Sequence, residues 1–318
     1  MQDLQRKGPQ KHKKLNKEEN VFVFLFFCGI IVKNGEREIF IKKKDSGKKA
    51  FIITLVTMFC IYLLAYVFNF IIKVKNYSIF SRKVSRRIRI AFLTDFHNSK
   101  YGEGQKKIIS IINNQSPDII LLGGDFAEDC TGNADAYLLI SKLCEEYPCF
   151  YVAGNHEFRS RHAAEIKQNI RECGAVVLEG EAKTIYVDGQ PVCICGVDDY
   201  SIGKKAFVAQ MDNAQAQSDP ECFSVLISHR PDLEEIYTEY DFDLILSGHA
   251  HGGQWRIPFV SKQGLVTPDL KLFPKFTNGK RTINQSTHIV SSGLSKFTPP
   301  FPRIFNSPEI VIVDIIPD

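Results

Sequence analysis

Short apolar runs that end in polar side chains are the feature that most constrains the fold of this chain. Residues 89–94, 118–123 and 149–153 each have the composition of a buried strand. Helical patterns at 103–114 and 134–146 separate them. Strands that alternate with helices in this way predict an α/β domain built around a layered sheet.

The second half of the domain is richer in strands. The apolar runs predict strands at 176–178, 184–187, 192–197, 223–228, 244–247, 287–291 and 309–315. Helices are predicted at 159–173 and 206–216, and Asp188-Gly189 is a turn signal between two of the strands. We therefore expect an α/β region followed by a mainly β region within one domain of residues 88–318.

Five polar clusters follow predicted strands directly. They are Asp95-Phe96-His97, Gly124-Asp125, Gly154-Asn155-His156-Glu157, His229 and Gly248-His249-Ala250-His251. In open α/β sheets, ligands bind outside the carboxyl ends of the strands. Each cluster taken alone has an ordinary structural interpretation, such as a turn, a helix cap or a loop histidine. Their joint position at strand ends predicts that they converge on one site.

The side chains of these clusters are typical metal ligands. Carboxylate, amide and imidazole donors without thiolates suit Mn, Fe, Zn, Co or Ni. The carboxylate of Asp125 can bridge two cations and offset their repulsion. His156 follows Asn155 without an evident ligand role, and it can stabilise or protonate a group held by the metals. The pattern predicts two divalent ions at a phosphate-ester-hydrolysing centre.

The order of the motifs resembles that of the calcineurin-like metallophosphoesterases over about residues 88–316. The stretch Gly248–Pro258, together with Gly293 and the ending around Pro302-Arg303 and Pro308-Glu309, is similar to a bacterial branch that is often membrane-attached. That branch includes phosphodiesterases similar to UDP-diacylglucosamine hydrolases. The resemblance implies a β-sandwich of two mixed sheets flanked by helices.

The resemblance also implies roles for individual residues. One ion would be held by Asp95, His97, Asp125 and His251, and the other by Asp125, Asn155, His229 and His249. His156 would assist departure of the leaving group, and a hydroxide that bridges the ions would attack phosphorus in line. The expected activity is hydrolysis of a phosphoester with Mn, Zn or Fe as the metal. A phosphodiester is favoured as the substrate over a phosphomonoester.

An uncharged apolar run at 50–72 predicts a single transmembrane helix, because 23 such residues can cross a hydrocarbon core of about 30 Å. Lysines flank it on both sides. A basic segment at 1–49, which contains a short apolar run at 21–32, precedes it, and a basic linker is predicted at 73–87. Basic residues on the two sides are nearly balanced, with a slight lean towards an extracytoplasmic catalytic domain.

The net charge of +4 is small, and the basic residues gather near the membrane segment. This distribution favours a membrane partner and a lipid-linked or cell-envelope phosphoester as substrate. No basic platform with interleaved aromatic residues accompanies the clusters, so no specific nucleic acid is indicated. The alternatives are a nuclease or nucleotide phosphodiesterase with the same centre, and a non-catalytic metal-binding scaffold.

Overall fold

The computed structural model describes residues 46–68, 70–127, 132–257, 263–298 and 301–318. The predicted basic segment, with its apolar run at 21–32, lies outside the described residues apart from 46–49. Contacts divide the chain into two units, residues 1–57 and 58–318, and only 46–57 of the first unit are described. All the described strands belong to the second unit.

Helix α1 spans Ser46–Phe68, so it begins and ends about four residues before the predicted 50–72. Its 23 residues give a length of about 35 Å at 1.5 Å per residue. No residue of the window Gly47–Leu64 is buried, and Phe51 and Ile53 are each 65% exposed. By length and composition, α1 is a candidate membrane span.

The first sheet has six strands and is mixed. Its strands are β1 (Lys73–Ser81), β2 (Ile88–Leu93), β3 (Ile119–Leu122), β4 (Cys149–Tyr151), β5 (Val176–Val177) and β14 (Glu309–Pro317), in the spatial order β1-β14-β2-β3-β4-β5. Strands β2 to β5 run parallel, whereas β14 pairs antiparallel with β2. The carboxyl ends of β2, β3 and β4 therefore lie at one edge.

The second sheet is also six-stranded and mixed. It contains β6 (Glu181–Val187), β7 (Gln190–Gly196), β8 (Phe223–Ile227), β9 (Leu244–Ser247), β10 (Gly279–Ile283) and β11 (Ser286–Val290), in the order β10-β11-β9-β8-β7-β6. Strands β7, β8, β9 and β11 are parallel to one another. A short antiparallel pair follows, β12 (Phe297–Thr298) and β13 (Phe301–Pro302).

The two sheets pack face to face, and helices cover their outer faces. The described α-helices that follow α1 are α2 (Lys106–Asn113), α3 (Ala134–Cys144), α4 (Asn155–Arg159), α5 (Ala163–Glu172), α6 (Lys204–Gln217) and α7 (Glu234–Tyr237). Phe92 of the first sheet and Ile194 and Leu246 of the second share the central core. Strands buried on both faces must be apolar throughout, which explains the continuous runs in the sequence. The predicted sandwich of two mixed sheets flanked by helices is confirmed.

The structure differs from the sequence prediction at residues 73–87. Instead of a linker throughout, Lys73–Ser81 forms the edge strand β1, in parallel register with β14 from Lys73–Glu309 to Ser81–Pro317. Its apolar residues, such as the buried Ile79, pack into the central core. Lysines at an edge strand discourage pairing with other chains, so the basic composition is compatible with a strand.

Candidate metal centre

The five polar clusters meet at one edge of the sandwich. Asp95, Asp125 and Asn155 follow β2, β3 and β4 of the first sheet. His229 and His249 follow β8 and β9 of the second sheet. The site is therefore built where the carboxyl ends of parallel strands from both sheets face each other. The convergence expected from the sequence is present.

Four buried side chains form the first group of possible ligands. Asp95, His97, Asp125 and His251 each offer one atom, and these atoms all lie within 4.8 Å of one another. The Nε2 atoms of His97 and His251 are 3.2 Å apart. Nε2 of His251 is 3.4 Å from Oδ1 of Asp95. Two imidazoles and two carboxylates thus converge on a common point.

Asp125 also belongs to a second buried group, with His229 and His249. Oδ2 of Asp125 lies 3.2 Å from Nε2 of His229. Oδ1 of Asn155 completes the group, 3.2 Å from Nε2 of His229 and 2.7 Å from Nδ1 of His249. The Asp125 carboxylate therefore lies between two groups of donors, as a bridging ligand would.

The backbone of this site is unusually strained. Five of the seven predicted ligands have positive φ angles: Asp95 (52°), His97 (48°), Asp125 (54°), His249 (63°) and His251 (46°). Such conformations are uncommon for residues other than glycine and persist only where the surroundings impose them. Hydrogen bonds across the site do so, including that from the amide of His249 to Oδ1 of Asp95, at 2.9 Å.

Two glycines allow the strand ends to approach closely. A Cβ atom on Gly154 would lie 2.3 Å from Oδ1 of Asp125, and one on Gly124 would lie 2.6 Å from the amide nitrogen of Gly154. Neither separation is tolerable, and Gly124 also has a φ of 90°. The two Gly-containing motifs are therefore needed to seat the carboxylate of Asp125.

Neighbouring groups fix the orientation of the imidazoles. Nδ1 of His229 is 2.8 Å from the carbonyl oxygen of Gly123, which leaves Nε2 facing Asp125. Nδ1 of His251 is 3.0 Å from Oγ of Ser295, which leaves Nε2 facing His97. Such partners set the tautomer of a metal-binding histidine. The sequence did not single out Ser295, whose loop lies 44 residues beyond His251.

Glu157 organises the loop that carries Asp125. Its buried carboxylate accepts hydrogen bonds from the backbone amides of Asp125 (3.0 Å), Phe126 (2.8 Å), Ala127 (3.0 Å) and Gly154 (2.8 Å). The last of these bonds also caps helix α4. Glu157 thus supports the site without joining either group of possible ligands.

Charge and burial together raise the pKa of His229 and lower those of His249 and His251. Burial alone would lower the pKa of His229, but the Asp125 carboxylate outweighs it and raises this pKa to about 10. Burial lowers the pKa of His249 to about 4, and the charges of His229 and Arg230 act in the same direction. Burial also lowers the pKa of His251 to about 4. His249 and His251 are accordingly neutral at pH 7.

His156 lies at the rim of the site. Its amide donates to Oδ1 of Asp125 at 2.8 Å, and its Nε2 is 4.0 Å from Oδ2 of the same carboxylate. Nη2 of Arg159 lies 2.9 Å from Nδ1 of His156. The side chain of His156 is 13% exposed, compared with 3% or less for His97, His229 and His251. It is therefore the most exposed of these four imidazoles and can reach a bound molecule.

Arg230 is a further charged residue at the site that sequence reasoning missed. Its Nε donates to Oδ2 of the buried Asp199 at 2.9 Å, and its Nη1 is 3.4 Å from Nε2 of His249. The pair places a guanidinium beside a possible ligand. Its position directly after His229 was a signal, but the partner Asp199 comes from the loop after β7, which spacing does not reveal.

The residues fit two divalent ions. The donors are carboxylate, amide and imidazole groups, all with nitrogen or oxygen atoms, and they form two groups that share Asp125. Such a set suits first-row metals and not soft-metal sites. Buried carboxylates so close together need cations to balance them.

The comparisons with known proteins agree with this site. The model of the calcineurin-like phosphoesterase family matches residues 88–253. The chain is similar to YkuE of Bacillus subtilis, named as a metallophosphoesterase, at 30% identity over 70% of this chain and 77% of YkuE. It is also similar to the phosphodiesterase YaeI of Escherichia coli, at 30% identity over 55% of this chain and 64% of YaeI.

A third relative, F40B5.2 of Caenorhabditis elegans, carries a metallophosphoesterase name and is 30% identical over 72% of this chain. The chain spans only 48% of that relative. The chain belongs to the calcineurin-like phosphoesterase family.

Proposed function

We propose that this protein is a membrane-anchored phosphodiesterase with two divalent metal ions. Asp95, His97, Asp125 and His251 would hold one ion, and Asp125, Asn155, His229 and His249 the other. The shared position of Asp125 between the two groups carries the proposal, since its Oδ2 is 3.2 Å from His229 Nε2 and 3.8 Å from His97 Nε2. When bound, two such ions activate a water nucleophile and offset the charge that develops on the phosphate oxygens.

The chain's own residues supply the remaining functions. His156, at the rim, is suited to donate a proton to the departing oxygen or to stabilise its charge. Its backbone bond to Oδ1 of Asp125 ties the position of this imidazole to that of the bridging carboxylate. Asp125 and His156 are therefore the residues whose loss should most affect turnover.

A cavity beside His249 supports a diester over a monoester. Its volume is about 750 Å³, which is within the range of small-molecule sites. Tyr200 and Phe276 line it, and two of its cations are paired, with Lys271 Nζ 2.7 Å from Asp232 and Arg281 Nη1 2.6 Å from Glu234. A monoester has no second ester group to occupy this space.

Helix α1 supports attachment to a membrane, and attachment favours a substrate that is lipid-linked or part of the cell envelope. The numbers of basic residues before and after the helix are nearly equal, and their slight difference favours an extracytoplasmic catalytic domain. Mn, Zn and Fe all suit the donors, and we propose manganese or zinc as the first metals to supply.

The purified full chain should hydrolyse bis-p-nitrophenyl phosphate when Mn²⁺ is added, and faster than p-nitrophenyl phosphate. Asp125→Asn should lose activity and bound metal together, because it removes the charge between the ions. His156→Ala should lose activity by about 10²-fold or more while it retains metal, since general acid–base groups contribute on that scale. Metal content by mass spectrometry separates the two effects.

Glu165→Gln on α5 is the matched control, because the Glu165 side chain is 70% exposed and remote from the ligand groups. This variant should behave as the unchanged protein. Full activity in both Asp125→Asn and His156→Ala would refute the proposed catalytic roles.

A further inference from the structure

The ammonium groups of Lys107 and Lys296 and the backbone of Lys100 meet near the point where the chain leaves helix α1. Nζ of Lys107 donates to the carbonyl oxygen of Phe70 at 2.7 Å. Nζ of Lys296 lies 5.9 Å from the centre of the Phe70 ring, and it donates to the carbonyl oxygen of Lys100. Residues from three distant segments thus meet two residues after the end of an apolar helix.

None of these lysines forms an ion pair with a carboxylate that the structure describes. Within the described ranges, no carboxylate oxygen lies within 4.0 Å of the ammonium groups of Lys100, Lys107 or Lys296. Burial lowers the pKa of Lys296, and the charge of Lys107 lowers it further, against a smaller effect of Asp135. The ammonium groups of Lys107 and Lys296 repel each other, and an anion beside them would relieve that repulsion.

Apolar side chains lie beside the lysines. Phe70 is 43% exposed and Ile71 is 48% exposed. An exposed aromatic ring beside lysines is typical of protein surfaces that lie at the boundary between headgroups and acyl chains. Lysine stems can follow apolar surface while their ammonium groups reach the headgroups.

The same segments continue directly into the metal centre. Lys100 follows His97 by three residues, and Lys296 follows Ser295, whose Oγ is 3.0 Å from Nδ1 of His251. The hydroxyl of the buried Tyr101 donates to the carbonyl oxygen of Leu294, which joins the two loops. The amide of Leu294 in turn donates to the carbonyl oxygen of Thr94 at 3.0 Å.

We propose that Lys100, Lys107 and Lys296, together with Phe70 and Ile71, bind the phosphate headgroup of an anionic phospholipid. The inference rests on the membrane attachment in the proposed function, and it adds a charge-selective contact between the bilayer and the two loops beside the metal centre. The bilayer surface would then fix the distance between the site and the headgroups, which suits a substrate held in that bilayer.

Lysine footprinting of the full chain in nanodiscs tests the contact. The chain is labelled with an acetylating reagent in discs of phosphatidylglycerol mixed with phosphatidylcholine, and in discs of phosphatidylcholine alone. We expect Lys100, Lys107 and Lys296 to be acetylated at least threefold more slowly in the anionic discs. Lys183 on β6 and Lys205 on α6 serve as controls and should react equally in both.

A charge-reversed variant, Lys107→Glu, should abolish most of the protection at Lys100 and Lys296, whereas Lys205→Glu should leave it intact. Equal labelling of the three lysines in both discs would overturn the proposal. Equal slowing of the control lysines would also overturn it, because the effect would then be a general surface potential.

Co-elution of the chain with the discs is measured first. A chain that does not co-elute refutes the attachment, and with it this inference. Loss of aryl-phosphodiester turnover concerns the metal centre alone, so the two failures are distinguishable.

Discussion

At the scale of single residues, the site depends on glycines, which have no side chain, as much as on the residues that supply ligands. The carboxylate of Asp125 approaches the backbone of Gly154 so closely that no Cβ atom fits between them. Its neighbours hold Asp125 at a φ of 54°, so the residue cannot shift easily to make room. The position of the bridging group is thus set by local sterics.

Gly154→Ala should therefore lower the magnitude of the free energy of Mn²⁺ binding by more than it lowers the free energy of unfolding. The new methyl group would meet Oδ1 of Asp125 at 2.3 Å and displace the carboxylate from between the two ligand groups. We expect Mn²⁺ affinity to fall by at least tenfold in calorimetric titrations. Gly47→Ala in α1, where nothing lies within 4 Å, is the control and should bind Mn²⁺ normally.

Metal binding should release a proton. In the metal-free protein the pKa of His229 is raised to about 10 by Asp125, whereas an unfolded histidine has a pKa of about 6.5. Below pH 10 the metal must displace this proton, so affinity should rise by about tenfold per pH unit between about pH 7 and 9. Calorimetry in buffers of different ionisation heat counts the protons.

The raised pKa of His229 affects the stability of the metal-free protein in the opposite direction. Metal affinity increases with pH, whereas the stability of the metal-free fold decreases. A raised pKa stabilises the folded state fully below about pH 6.5, and this contribution is lost as pH rises through about 10. His229→Gln should abolish the proton release. An affinity for Mn²⁺ that does not change with pH would contradict this prediction.

At the scale of elements, Glu157 joins the start of α4 to the loop after β3. One carboxylate satisfies four backbone amides from these two segments. Buried amides left without partners are costly, and charged acceptors make the stronger bonds. The geometry of the loop is thus maintained from a different strand end.

Glu157→Gln should destabilise the metal-free protein by about 3 kcal/mol, because the amide group of glutamine presents a donor to amides that need an acceptor. The midpoint of urea unfolding measures this. Glu165→Gln on the exposed side of α5 should change stability by less than about 0.5 kcal/mol. Equal midpoints for the two variants would contradict the proposed role.

Local pattern predicted most of these elements, and long-range pairing explains those it missed. Runs such as Leu244–Ser247 are apolar on both faces and can be recognised without knowledge of their partners. Strand β1 depends on β14, more than 200 residues away, and its lysines are typical of a linker. Ser295 and the Arg230–Asp199 pair likewise become visible only when distant loops are brought together.

At the scale of the whole molecule, α1 is the described element that stands apart from the sandwich by composition. If it crosses a bilayer, arginines near its middle should prevent insertion, at about 3 kcal/mol each. We expect the full chain to remain in the membrane pellet after alkaline carbonate extraction. The double variant Leu55→Arg, Phe59→Arg should move to the supernatant.

Tyr186→Arg with Leu270→Arg is the matched control, because both side chains are exposed on the second unit, at 71% and 56%. This variant should stay in the pellet. Release of the unchanged chain by carbonate would show that α1 does not anchor it.

The division of the ligands between two sheets has a mechanical consequence. Asp95, Asp125 and Asn155 follow strands of one sheet, and His229, His249 and His251 follow strands of the other. Ions bound among these ligands would cross-link the two sheets at one edge of the sandwich. The sheets could then separate at this edge only if metal–ligand bonds broke. The breaking of these bonds would therefore limit both the lifetime of the bound metal and the lifetime of the folded domain.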